Sequence, residues 1–377
     1  MSNQLKKLKK NLAPALEEIK TPVQINLFSY VADNQGCGHI RVMFPYLLLN
    51  HYKEVDKVKI MTNWGHKFIP DPGFYKELVF CQFQRAVTKP QLDMIKYLKQ
   101  RICAQTKTPL IYEIDDLLIN IPEWNFSNTW YEQQQEYIPE ILSQFDGIIT
   151  STERLKKIYS KYNSNIKVIP NHLPKFLWGE PLPFKQEITN KKPRIFWGGS
   201  SNHFAIKKDQ VGGDFGKDLI EYIKGTTDKY QWVIMGGCPQ ELTEYKDKIE
   251  YHPWKNIFTY PSYVKNLNID LCIAPLEDNL FNASKSNLKS LEFSMLGAPA
   301  VYSDVEPYAD KTIACKTDGD IIANIEKLLI NPELRKEVYE KDFELIRKQL
   351  FWEEYDNLTS YLNTYLSVFG KKLVANK

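Results

Sequence analysis

The chain has 377 residues, more than one hydrophobic core usually serves. With 43% hydrophobic and 25% charged residues it reads as an ordinary globular protein of two domains. A formal net charge of +3 is too small to argue by itself for a nucleic-acid partner. No apolar run nears the ~20 residues that a membrane-crossing helix needs, and the six scattered cysteines, with no Cys-x-x-Cys pair, argue against a zinc site or a disulfide framework and fit a reducing, cytoplasmic setting.

A basic leader covers 1–20. Its Leu5-Lys-Lys-Leu-Lys-Lys-Asn-Leu12 run lacks the continuous apolar core of a signal peptide. It reads as a solvated basic helix, with contact to an anionic membrane face or to nucleic acid as the alternative. A first half, 21–175, follows. Strands are expected at Val23–Tyr30, Val58–Met61, Leu78–Phe83, Pro109–Ile114, Gly147–Thr150 and Ile166–Pro170. Helical spacing begins at His39 after a Gly36-Cys-Gly38 turn, and recurs over Gln91–Arg101 and Tyr131–Phe145. Ser151-Thr-Glu-Arg154 is a helix-start signal.

Prolines at 170, 174, 181 and 183 interrupt the pattern, and 176–193 reads as a linker. The alternation then restarts over 194–350. Strands are expected at Arg194–Trp197, Gln231–Met235, Ile249–His252, Ile269–Ala274 and Ala300–Tyr302, with helices over 214–223, 318–330 and 333–348. Residues 351–377 supply a last amphipathic helix and tail. Strands alternating with helices give an α/β chain whose parallel sheets carry helices on both faces.

Ligands of such sheets bind beyond the carboxyl ends of strands, and the unusual residues gather there. Asn282-Ala-Ser-Lys-Ser-Asn-Leu-Lys-Ser-Leu-Glu292 opens as a polar loop and becomes a helix. Free N–H groups at a helix start, with Lys285 and Lys289 added, suit a phosphate. Glu292, one turn on, can accept from a sugar hydroxyl; an exposed ion pair between Lys289 and Glu292 is the bland alternative. Gly198, Gly199 and Ser200 form either an anion cradle or a tight turn, and His203 is either a phosphate or sugar contact or a surface residue. In the first half, Gly38 leaves room for a ligand to approach, and Arg41 reaches either a phosphate or a structural salt bridge. Glu113, Asp115 and Asp116 end a strand, where carboxylates serve as caps, as acceptor contacts or as cation ligands. No P-loop, dinucleotide fingerprint or nucleophile elbow is present.

Taken together, Ile195-Phe-Trp-Gly-Gly-Ser200, Asp270-Leu-Cys-Ile-Ala-Pro-Leu276, Lys285-Ser-x-x-Lys-x-x-Glu292 and Gly297-Ala-Pro-Ala-Val-Tyr-Ser-Asp304 resemble the GT-B glycosyltransferases, more narrowly the retaining, family-4-like group. Phe145-Asp-Gly-Ile-Ile-Thr-Ser-Thr-Glu-Arg154 and Val168-Ile-Pro-Asn171 resemble the end of that group's first domain. The resemblance implies two Rossmann-like domains facing across a cleft, with the C-terminal helix crossing back to the first. It also implies a UDP- or GDP-sugar donor held by the second domain without metal, through Glu292, Gly198, Gly199, Ser200, Ser286, Asn287 and Leu288. Lys285, Lys289 and His203 become the catalytic candidates. Gly38, His39, Arg41, Glu113, Asp115 and Asp116 become acceptor-binding candidates, for a glycan or lipid-linked saccharide or, alternatively, a DNA base. Glu292 matches the second glutamate of the group's Glu-x7-Glu motif, and Ser284 stands where the first glutamate is usual. A non-catalytic nucleotide-sugar-binding module is the rival from another class. Lys207 and Lys208, in an apparent insertion, are candidates for further phosphate contacts.

Overall fold

The computed structural model describes residues 23–51, 54–55, 58–205 and 212–368. The basic leader and Lys207–Lys208 lie outside the described residues. The chain forms two units: 1–116, 133–174 and 351–377 make the first, and 117–132 with 175–350 the second.

The first unit is built on a seven-stranded sheet in the order β2-β3-β1-β4-β5-β6-β7. The strands are β1 Val23–Tyr30, β2 Glu54–Val55, β3 Val58–Gly65, β4 Phe80–Gln84, β5 Leu110–Ile114, β6 Gly147–Thr150 and β7 Ile166–Val168. Only the β2–β3 pair is antiparallel. β4, β5 and β6 are buried along their whole length, which is why they read as near-continuous apolar runs rather than as alternating ones. The last helix, Asn357–Val368, lies in this unit's core. Its Leu358, Tyr361, Leu362, Tyr365 and Leu366 cluster with Leu27, Tyr46, Phe80 and Ile111, and Tyr365 stacks on Phe80 at 5.0 Å.

The expected helix over Tyr131–Phe145 is instead two short ones, Asn128–Glu132 and Ile138–Ser143. Pro139 fits the first turn of a helix but not its interior, so the second piece starts there anew. The first piece belongs to the second unit. The first half therefore does not hold together as 21–175: the stretch 117–132 leaves it because its polar side chains find partners in the other unit's loops. Trp124 Nε1 donates to Glu277 Oε2 at 2.7 Å, and Asn125 Nδ2 to the Asn202 carbonyl at 3.0 Å.

The second unit has a six-stranded, all-parallel sheet in the order β10-β9-β8-β11-β12-β13. Its strands are β8 Arg194–Gly199, β9 Gln231–Gly236, β10 Glu250–His252, β11 Leu271–Ala274, β12 Ala300–Ser303 and β13 Ala314–Cys315. Ile195, Trp197, Trp232, Ile234, Ile273 and Val301 pack with Leu219, Ile223, Ile321 and Ile325 of the flanking helices Lys217–Thr226 and Asp318–Ile330. Thr317 and Asp320 close a capping box on the latter helix. The chain goes from β8 outward to β9 and β10, then returns to the other side as β11, β12 and β13. The sheet's switch point is thus between β8 and β11, the place where open α/β sheets take ligands.

Candidate functional site

The carboxyl ends of β8 and β11 carry the candidates of the second unit. The segment after β11 is not one helix but two, Leu280–Ala283 and Leu288–Ser294, with Asn279 capping the first through the Asn282 N–H at 2.8 Å. Lys285 therefore sits in the break between them rather than on a helix face. Its ammonium is sealed from solvent with no hydrogen-bond partner among the described residues; it lies 3.7 Å from Asp214 Oδ2 and over the Phe281 ring at 4.8 Å. A buried ammonium with no acceptor is costly, and an anionic ligand would relieve that cost.

Lys289 and Glu292 do not pair with each other. Lys289 donates to the Gly198 carbonyl and lies over the Trp197 ring at 4.8 Å. Glycine at 199 makes this approach feasible, since a Cβ there would fall 2.8 Å from Lys289 Nζ and 2.7 Å from the Trp197 ring. Burial lowers the Lys289 pKa, with Glu292 opposing and Lys285 reinforcing the shift. Glu292 accepts from Tyr260 Oη at 3.2 Å, and burial raises its pKa against the pull of Lys289. Tyr260 stacks in turn on Trp254, whose ring is 54% exposed, at 6.3 Å and 14°. Through Tyr260, Glu292 is thus linked to a half-exposed aromatic ring, the kind of surface on which a flat heterocycle can stack.

Asp214 ties the loop after β8 to the segment after β11. It is 3% exposed and accepts from His203 Nδ1 at 2.5 Å, Asn282 Nδ2 at 2.5 Å and the Glu277 N–H at 3.1 Å. Burial, the largest influence, pushes its pKa up, but Lys285, the His203 hydrogen bond and the Glu277 N–H together bring it below the usual value. The His203 pKa falls to about 3, through burial first and then through Lys285 and Lys289, against the pull of Asp214. His203 is therefore neutral, and it is not the surface residue of the bland reading. Ser200 caps the short turn Ser201–His203 by accepting from the Asn202 N–H at 3.4 Å. Asn287 exchanges two 3.0 Å amide hydrogen bonds with Gln349, so its side chain is engaged in the unit's own packing. Ser286 and Leu288 flank it at the break and at the start of the second helix.

The first-unit candidates divide differently. Arg41 is 1% exposed and Glu113 is 0% exposed. Arg41 Nε donates to Glu113 Oε1 at 2.7 Å, and Nη1 to the Ile169 carbonyl at 2.7 Å and Asn171 Oδ1 at 2.9 Å. Gln84 Nε2 supplies Glu113 Oε2 at 3.0 Å. Both charges are internal and pair with one another, which gives them a structural role. The same holds for Gly38, where a Cβ would fall 2.0 Å from the Asp33 carbonyl oxygen: its missing side chain admits its own backbone rather than a ligand. His39 is 8% exposed, with Nδ1 2.7 Å from the Gln35 carbonyl oxygen. Asp115 and Asp116 keep 11% and 28% side-chain exposure and share Arg85, at 2.6 and 3.5 Å. Glu113 is thus held by Arg41 and Asp115 by Arg85. Among the described residues no group of three or more His, Cys, Asp or Glu side chains is arranged to hold a metal ion, and no helix is long and apolar enough to cross a membrane.

Asp214, Asn282, Tyr260 and Trp254 were not singled out from the sequence. The only available signal for the first was an aspartate after Gly212-Gly213 beside the expected helix over 214–223, and for the aromatics a Trp–Tyr spacing after a strand.

No protein-family model matches the chain, and no curated protein matches it in sequence. Solved structures do. A mutant of the Thermobaculum terrenum O-GlcNAc transferase is similar with a TM-score of 0.52 and 12% identity, over 95% of this chain and 69% of that one. The DNA-modifying enzyme β-glucosyltransferase, solved with and without uridine diphosphoglucose, is similar with a TM-score of 0.51 and 9% identity, over 92% of this chain and 99% of that one. The likeness is one of fold: the chain has the GT-B fold of these glycosyltransferases, built of two Rossmann-like α/β units.

Proposed function

We propose that the chain is a glycosyltransferase that moves a sugar from a nucleoside-diphosphate sugar, UDP- or GDP-linked, to an acceptor hydroxyl. The observation that carries this reading is the Lys285 ammonium, buried without a hydrogen-bond partner among the described residues at the switch point of the second sheet. The diphosphate oxygens would supply the acceptors it lacks. Lys289 and the Gly198–Ser200 backbone stand ready for the same group, and Glu292 for the ribose, with the Trp254–Tyr260 shelf for the base.

In the transfer, the bond from the anomeric carbon to the phosphate oxygen breaks and its electron pair stays on the phosphate. Positive charge builds on the sugar, as in glycoside hydrolysis. Fixed cations and N–H groups aimed at the leaving phosphate favour that charge separation. The acceptor oxygen forms the new bond to the same carbon, and its proton passes to the leaving phosphate. That course retains the anomeric configuration and requires no metal in our reading. The acceptor we favour is a glycan or lipid-linked saccharide, met in the cytoplasm.

A DNA base is the second reading. It is favoured by the likeness to the DNA-modifying β-glucosyltransferase and by the lysines of the leader. A panel of nucleotide sugars, scored by release of free nucleoside diphosphate and by thermal shift, tests the proposal. One donor should both stabilise the protein and be turned over on adding acceptor; stabilisation without any turnover or hydrolysis would leave a binding module instead. A salt-sensitive shift of DNA would move the acceptor to the second reading.

A further inference from the structure

The two ring nitrogens of His203 have different fates. Nδ1 faces Asp214, and every other close partner of that carboxylate is a donor: Asn282 Nδ2, the Glu277 N–H and, at 3.7 Å, the Lys285 ammonium. A carboxylate among donors only accepts, so Nδ1 must carry the proton of its 2.5 Å hydrogen bond. A second proton on Nε2 would make an imidazolium in a residue that is 9% exposed and already faces two lysines. Nε2 therefore keeps its lone pair and has no hydrogen-bond partner among the described residues. The ring is held edge-on to Trp197, at 5.5 Å and 88°, so it cannot turn freely to exchange the two nitrogens. Asn282, which donates to the same carboxylate, has its Oδ1 buried with no hydrogen-bond partner among the described residues.

A lone pair repels phosphate oxygen and attracts a hydroxyl. Lys285 and His203, which share the Oδ2 oxygen of Asp214, thus offer opposite chemistries: a cation for an anion, and an acceptor for an O–H. We propose that His203 reads the sugar of the donor, its Nε2 accepting a hydrogen bond from a sugar hydroxyl, and that Asp214 is the positioning residue that fixes the tautomer this requires. The inference rests on the nucleotide-sugar reading above and adds which part of the donor this histidine meets. A neutral hydrogen bond of this kind contributes about three- to tenfold in affinity, and more where its loss strands a buried donor.

The experiment compares binding of UDP with UDP-glucose, and of GDP with GDP-mannose, by calorimetry in the wild type, His203→Phe and Asp214→Asn. Phenylalanine keeps the ring against Trp197 and removes both nitrogens. Asparagine at 214 keeps Oδ1 for Asn282 and Glu277 but presents N–H to His203 Nδ1, driving the proton to Nε2. Nitrogen-15 spectra of labelled histidine read that tautomer directly, a signal that a merely structural role would not move. The expected result is selective: in both variants the ratio of affinity for the sugar-bearing form to affinity for the nucleoside diphosphate falls about tenfold relative to wild type. Equal loss for both ligands, no loss for either, or a wild-type spectrum with protonated Nε2 overturns the inference while leaving the transferase reading standing. A wild type that binds none of the four ligands overturns both.

Discussion

Replacing Arg41 by methionine separates a structural arginine from one that meets a ligand. The side chain is 1% exposed and makes hydrogen bonds of 2.7, 2.7 and 2.9 Å, one of them to a glutamate that is 0% exposed. Methionine fills much of the volume but leaves the Glu113 charge buried with Gln84 as its remaining described donor. Breaking one side of such a pair costs about 3–5 kcal/mol, because a buried charge is left uncompensated. Against a total stability of about 5–15 kcal/mol this is a large fraction, equivalent to roughly 10 °C in the melting temperature of a unit this size. Glu113→Gln alone strands the cation instead and should cost a similar amount. The double variant removes both charges, so its loss should fall short of the sum of the singles by about 2 kcal/mol or more. Urea unfolding followed by circular dichroism measures all three, with nucleotide affinity, which the proposed function assigns to the second unit, unchanged within about twofold. Additive losses, or an Arg41→Met cost below about 1 kcal/mol, would refute the reasoning and return Arg41 to the list of ligand contacts.

Four further outcomes are expected. Lys289→Ala should slow transfer about a hundredfold or more at saturating donor, as loss of a donor to developing negative charge does; single-turnover kinetics checks this. Glu292→Gln should weaken nucleoside-diphosphate binding about tenfold, the worth of a charge-assisted hydrogen bond, and Trp254→Ala should do the same through lost stacking on the base, about 1–3 kcal/mol; calorimetry reads both. His203 makes stability acid-sensitive: its pKa falls from 6.5 to about 3 on folding, so the unfolded chain binds the extra proton, and the stabilisation is full above about pH 6.5 and lost as pH falls toward 3. Between pH 7 and 5 that amounts to about 2 kcal/mol, and thermal melts of His203→Phe should lose correspondingly less over the same interval.

What could be read in advance follows the range of the interactions. The strands were legible because buried parallel strands write apolar runs locally, and the two lysines and Glu292 could be named as candidates because they fall within one short segment. The Arg41–Glu113 pair joins residues 72 apart, and nothing near either one distinguishes an internal partner from a ligand. The move of 117–132 into the second unit is fixed by Trp124 and Glu277, 153 residues apart. Asp214 carries only the weak local signal of its Gly212-Gly213 setting; its importance comes from three donors that the sheet topology brings to it. The polar loop that opens the segment was legible around 284–287, but the short helix Leu280–Ala283 before it was not, because its cap is the side chain of Asn279 three residues upstream of the Asn282 N–H it serves.

The chain passes from one unit to the other at 116, 132, 174 and 350. No single cut therefore yields either unit intact. A fragment ending near 175 would carry the 117–132 stretch away from Glu277 and Asn202, and would lack Tyr361 and Tyr365, leaving Phe80 and its neighbours uncovered. Its complement would keep the switch-point cluster but carry an orphaned terminal helix. A chimaera that exchanges one unit with a relative therefore needs four junctions, and has to trade the inserted stretch and the tail along with the half they serve.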